Sequence, residues 1–173
     1  MRRDLALFCL WIAVLALCLY FGPLARPWFE GASAFWVAWL MGLTGIGAAA
    51  GAGWLLLGLP RQRRGRAFLG LVGIILGMGL LAWLQPLLLE RSHLIMYGVM
   101  GLLSWRLLGH WHDGGARLLW AVLLAGGLGW LDEVGQEFHP ERVFDWRDVA
   151  TNAAAGAFGV LAAWLLEPRA AKL

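Results

Sequence analysis

Residues 118–136 read LLWAVLLAGGLGWLDEVGQ: fourteen uncharged, apolar or glycine positions run directly into Asp132, Glu133 and Gln136. A helix rises about 1.5 Å per residue, so fourteen residues cover about 21 Å of a hydrocarbon core about 30 Å thick. If this run crosses a bilayer, its helix must continue through the two acids and Gln136 toward Phe138. The composition says that it does cross one. Of the 173 residues, 61% are hydrophobic and 14% are charged, against about 45–50% and about 25% in soluble domains. A chain this short cannot hide so much apolar surface from water. The same numbers exclude disorder. Its solvent is lipid.

Five more apolar runs flank the first, at 5–22, 35–59, 67–84, 94–109 and 149–166. They predict an all-α polytopic bundle of six transmembrane spans in a single domain, at about 5–22, 35–59, 67–84, 93–109, 118–138 and 146–166. The Met1-Arg2-Arg3-Asp4 start has the look of a signal peptide. Its small-residue triplet, Ala32-Ser33-Ala34, lies some ten residues past the apolar run and beyond two prolines, so an uncleaved first span is expected.

With the N-terminus inside, the basic residues sort ten to four: Arg2, Arg3, Arg61, Arg63, Arg64, Arg66, Arg106, Arg117, Arg169 and Lys172 inside, and Arg26, Arg91, Arg142 and Arg147 outside. This is the positive-inside pattern, and it puts both termini in the cytoplasm. Most acids fall outside: Glu30, Glu90, Asp132, Glu133, Glu137, Glu141, Asp145 and Asp148. The pI of 9.4 is therefore a topology signal and not a nucleic-acid footprint. A multi-pass protein of a bacterial inner membrane is expected.

Cys9 and Cys18 share the first run on opposite faces and cannot bridge each other. Zinc-ligand spacing and internal repeats are absent from the sequence. Clustered glycines in runs two, three and five suggest close helix contacts, and tryptophans such as Trp28, Trp54 and Trp83 suit the membrane interface.

The chemistry concentrates in the last three runs, all of them short at the same end. Helical spacing sorts their polar groups into stripes: Glu90, His93 and Tyr97; Asp132 and Gln136; and Asp145, Asp148 and Asn152. Charge at membrane depth costs about 2.5–3.5 kcal/mol per group. The stripes are best accommodated by facing one another, in an extracytoplasmic polar pocket between helices four, five and six. Asp145 followed three residues later by Asp148 also reads as a capping box opening the sixth helix. Glu137, His139 and Glu141 read as solvated loop.

These residues carry a family likeness. Asp132-Glu133-x-x-Gln136-x-Phe138-x-Pro140-x-Arg142-x-x-Asp145-x-x-Asp148-x-x-x-Asn152-x-x-x-Gly156, together with the upstream Glu90-Arg91-Ser92-His93-x-x-x-Tyr97, resembles the VanZ-like family over residues 90–160. The resemblance implies a small multi-spanning cell-envelope protein. The family is named for a membrane protein associated with resistance to the glycopeptide antibiotic teicoplanin, and only that name connects this chain to resistance.

Two functions follow from the pocket. In the first, an enzyme acts on a lipid-linked or cell-wall precursor. Asp132, Glu133 and Asp148 serve as acid/base groups or as oxygen ligands of Mg²⁺ or Ca²⁺, and His93 is a titrating partner. Glu90, Tyr97, Gln136, Arg142, Asp145 and Asn152 hold the ligand, with Arg142 and Arg147 on its phosphate or carboxylate. In the second, a non-catalytic accessory protein captures an envelope ligand or partner. An ion-coupled transporter also fits intramembrane carboxylates, although the polar groups lie on one side only. A network that merely joins three helices is the plainest alternative.

Overall fold

The computed structural model describes residues 1–31, 33–140 and 142–168. Ala32, Glu141, Arg169 and Lys172 lie outside the described residues. Six helices follow one another: α1 (Arg2–Glu30), α2 (Ala34–Leu57), α3 (Arg61–Leu84), α4 (Leu88–Leu108), α5 (Gly114–Gln136) and α6 (Trp146–Leu166). Five are long and apolar enough to cross a membrane. The sixth, α4, carries Glu90, Arg91 and Arg106 within its 21 residues and has the most buried residues of any helix.

The bundle is built for lipid. Tryptophans at 54 and 83 are each 77% exposed, whereas Gln85, His93, Ser104, Glu133, Gln136, Thr151 and Asn152 are buried. Large apolar side chains cover much of the outer surface, while several polar ones are buried among the core residues. In lipid that arrangement leaves the polar groups to satisfy one another. No residue of α2 is buried, so this helix lies at the periphery.

Helices α4, α5 and α6 form the core. α4 and α6 run in the same direction, and their main chains touch. A Cβ at Gly101 would fall on the carbonyl of Gly156, and one at Gly159 would fall on the carbonyl of Gly98. Only glycine allows this approach. A Cβ at Gly129 would likewise lie 2.8 Å from Asn152 Cβ, which brings α5 against α6. The glycines expected to matter in α2 (42, 45, 47, 51 and 53) meet nothing within 4 Å.

The ends of the bundle are chemically distinct. At one, Asp4 pairs with Arg106 and His110, both at 2.9 Å. There too Arg117 pairs with Glu167 at 2.9 Å while its guanidinium lies 3.8 Å from the Trp105 ring centroid. Arg64 donates to the carbonyls of Leu57 and Leu59, closing the exposed end of α2. Asp113 then leads into Gly114, whose φ of +55° favours glycine. The opposite end gathers the acidic groups and their connections.

At that opposite end α1 departs from expectation. The first apolar run stops at Gly22, but the helix continues through Pro23 and Pro27 to Glu30. A proline removes one backbone donor and leaves the flanking helical hydrogen bonds in place, which membrane helices tolerate. The extension carries Arg26 and Glu30 to the acidic end. Trp11 Nε1 donates to Met96 O at 3.0 Å, fastening α1 to α4.

Candidate functional site

Helices α4 and α5 extend past their apolar runs at the acidic end, as their lengths demanded, and α6 begins there at Trp146. Glu90 and His93 lie within α4, and Asp132, Glu133 and Gln136 within the last turns of α5. Asp145 caps α6, its Oδ1 accepting from Arg147 N at 2.7 Å. The return half of a capping box is not made. Asp148 points its carboxylate toward α3 instead, where Gln85 Nε2 donates to Asp148 Oδ1 at 3.4 Å and to Thr151 Oγ1 at 2.9 Å.

Polar side chains of all three helices meet here, but from α5 the one that reaches the others is Glu133, outside the expected Asp132 and Gln136 stripe. His93 from α4, Glu133 from α5 and Asp148 from α6 each offer a ligand atom, all within 4.8 Å of one another. Glu133 is fully buried. Gln136 is the organiser beside them: its Nε2 donates to Glu133 Oε1 at 2.6 Å and to Asp132 Oδ2 at 3.2 Å, and its Oε1 accepts from Arg142 Nη1 at 3.2 Å. The α5–α6 connection folds back over this layer. Phe144 N donates to Glu137 Oε2 at 3.0 Å and Asp145 N to Glu133 Oε2 at 3.4 Å. Glu137 is exposed, as expected of a solvated residue, and in addition ties down the connection.

One turn deeper lie Tyr97 and Asn152, both 0% exposed. The Tyr97 ring packs edge to face with His93, centroids 6.3 Å apart. Both amide atoms of Asn152 are buried without a hydrogen-bond partner. A buried polar group left unpaired costs about 1–3 kcal/mol.

Asp132 and Arg142 flank that core, both tied to it through Gln136. Asp132 borders an apolar groove. Arg142 lies against α1, where a Cβ at Gly22 would come 2.5 Å from its Nη2. The other expected cation, Arg147, lies 3.4 Å from Glu90 and 3.6 Å from Asp145. Two contributors escaped the sequence reading: Gln85, and α1 beyond Gly22. Gln85 had a visible signal, a lone amide between an apolar run and Pro86.

Two cavities meet at this layer. One, of about 180 Å³, is polar and includes Arg26, Glu30, Glu90, Asp145 and Asp148 in its wall. The other, of about 660 Å³, is the apolar groove between α1, α4 and α5, walled by side chains such as Leu15, Leu19, Phe29 and Met96. Leu89, His93, Gln136 and Arg142 belong to both walls.

The family model described as VanZ/LLP1 matches residues 7–167, nearly the whole chain, including the first three helices that the motifs alone did not reach. The chain belongs to the VanZ-like family. No curated protein and no solved structure matches it.

Proposed function

We propose that this VanZ-like membrane protein binds a phosphate-linked envelope amphiphile at the acidic end of its bundle. The carrying observation is the shared wall: Leu89, His93, Gln136 and Arg142 line both the polar cavity and the apolar groove. An amphiphile matches that division. Its hydrocarbon chain lies along α1 in the groove, where burial of apolar area stabilises it. Its phosphate sits at the seam, beside Arg142, whose planar guanidinium suits phosphate oxygens. Its head enters the cavity lined by Glu30, Glu90, Asp145 and Asp148. Those acceptors favour a head rich in hydroxyl or amine groups, as in a lipid-linked sugar or a cell-wall precursor.

The orientation supports the same reading. Basic residues concentrate at the opposite end of the bundle, a distribution that under the positive-inside rule supports an extracytoplasmic acidic end. The ligand is then reached from the outer leaflet.

The test uses the purified full chain in detergent micelles and a fluorescent polyprenyl phosphate, with phosphatidylglycerol as competitor. Wild type should bind saturably. Arg142→Ala should weaken binding at least tenfold, with Arg142→Lys intermediate because it keeps charge and loses the fork. Unsaturable binding, or equal binding by Arg142→Ala, would refute the proposal.

A further inference from the structure

We propose that His93, Glu133 and Asp148 form a binding site for a divalent first-row transition metal ion, one ligand from each core helix. This goes beyond the amphiphile reading and stands without it. The three ligand atoms lie within 4.8 Å of one another. Metal–ligand bonds of about 2.0–2.2 Å bring such atoms to about 3–3.4 Å apart, a closure that side-chain rotation at three positions supplies.

The electrostatics call for a cation. Glu133 and Asp148 bring two carboxylates together inside the bundle, and neither makes an ion pair among the described residues. Arg142 is engaged with Gln136, and Arg147 with Glu90 and Asp145. Each carboxylate instead receives neutral donors: Gln136 and the Asp145 amide on Glu133, and Gln85 on Asp148. Neutral donors behind ligating carboxylates are what metal sites use to orient their ligands. They leave the pair without a contacting cation among the described residues, with Arg142 and Arg147 acting on it only from a distance, and a divalent ion would fill that place.

The donor set decides the class of ion. Mg²⁺ and Ca²⁺ favour all-oxygen shells, whereas a histidine nitrogen beside two carboxylates suits Mn²⁺, Fe²⁺, Co²⁺ or Zn²⁺. His93 is only 9% exposed and makes no hydrogen bond among the described residues, which leaves its ring nitrogens available. One turn below Asp148, the unpartnered amide of Asn152 gives an independent indication that a hydrated group belongs here. Asp132, expected from the sequence to ligate a cation beside Glu133, is not part of this cluster.

The experiment uses the full chain, purified through a tag without histidines, stripped with chelator and titrated with Co²⁺. Wild type should take up one equivalent with visible d–d absorption, and saturating Co²⁺ should raise the melting temperature. Glu133→Gln and Asp148→Asn should each weaken uptake at least tenfold. The wild-type titration needs no variant, so misfolding of either one leaves the proposal exposed. Uptake below one-half equivalent, or uptake unchanged in both variants, would overturn it. No amphiphile is present in this titration, so its outcome is separate from that of the lipid-binding test.

Discussion

Replacing Gly101 by alanine tests the contact that sets the geometry of the site. The new Cβ would fall on the Gly156 carbonyl, with the Gly156 carbon at 2.8 Å and the Val160 nitrogen at 3.0 Å. These are main-chain atoms of a facing helix, so no side chain can swing aside. Overpacking costs about 1–3 kcal/mol, and a main-chain obstacle places this case near the upper end. Alanine returns about 1 kcal/mol of helix propensity. The net is a loss of about 2 kcal/mol, or a fall of about 4–8 °C in melting temperature for a chain of this size. Gly73→Ala is the control, since its Cβ would meet nothing within 4 Å; it should melt at or slightly above wild type. The consequence reaches further than stability. His93 and Asp148 each precede their crossing glycine, Gly101 and Gly156, by eight residues on parallel helices. Forcing α4 from α6 therefore separates the two side chains, and Co²⁺ uptake should fall together with the melting temperature. Both are read from tryptophan fluorescence on heating and from absorption in the same detergent sample. A Gly101→Ala protein that melts no lower than Gly73→Ala would refute the packing argument.

Other expectations follow from single contacts. Arg117→Ala removes the Glu167 pair, the Trp105 stacking and a hydrogen bond to the Trp105 carbonyl; it should cost roughly 2 kcal/mol in thermal unfolding while leaving Co²⁺ uptake unchanged. Asp145→Ala loses the α6 cap and should cost about 1 kcal/mol, seen as a small drop in melting temperature. Gln136→Leu strips Glu133 of its shortest donor and Arg142 of its acceptor; stability should fall by about 1–3 kcal/mol and amphiphile affinity with it. In a cysteine-free background, Val143→Cys should react with a membrane-impermeant thiol reagent in intact cells and Gln62→Cys should not. The reverse pattern would invert the proposed orientation.

The short apolar runs explain why so much of the bundle was legible. A helix that must span but lacks apolar residues has to enlist its polar neighbours. That single constraint extended α4 through His93 and α5 through Gln136. Helical spacing then grouped the polar residues of each helix, and the cost of charge in lipid led to the expectation that these groups face one another. The α4–α6 crossing was harder to see: Gly98-x-x-Gly101 and Gly156-x-x-Gly159 both stand in the sequence, but spacing alone does not separate packed glycines from lipid-facing ones such as Gly45. The groove was invisible for a different reason. The apolar run ends at Gly22, just before Pro23, and only the bundle reveals that α1 continues through Pro23 and Pro27 to wall the site. That Glu133 and not Asp132 offers the third ligand atom beside those of His93 and Asp148 likewise depends on helix rotation, which neighbouring acids at 132 and 133 do not fix.

The central claim is that one amphiphile spans the groove and the polar cavity. Photo-crosslinking tests it directly, using a polyprenyl phosphate with a diazirine in its chain and mapping the modified residues by mass spectrometry of the full chain. Adducts should fall on the groove face of α1 and on α4 near Met96, and should largely disappear in Arg142→Ala. Labelling spread evenly over the exposed surfaces of α2 and α3, and indifferent to Arg142, would contradict it.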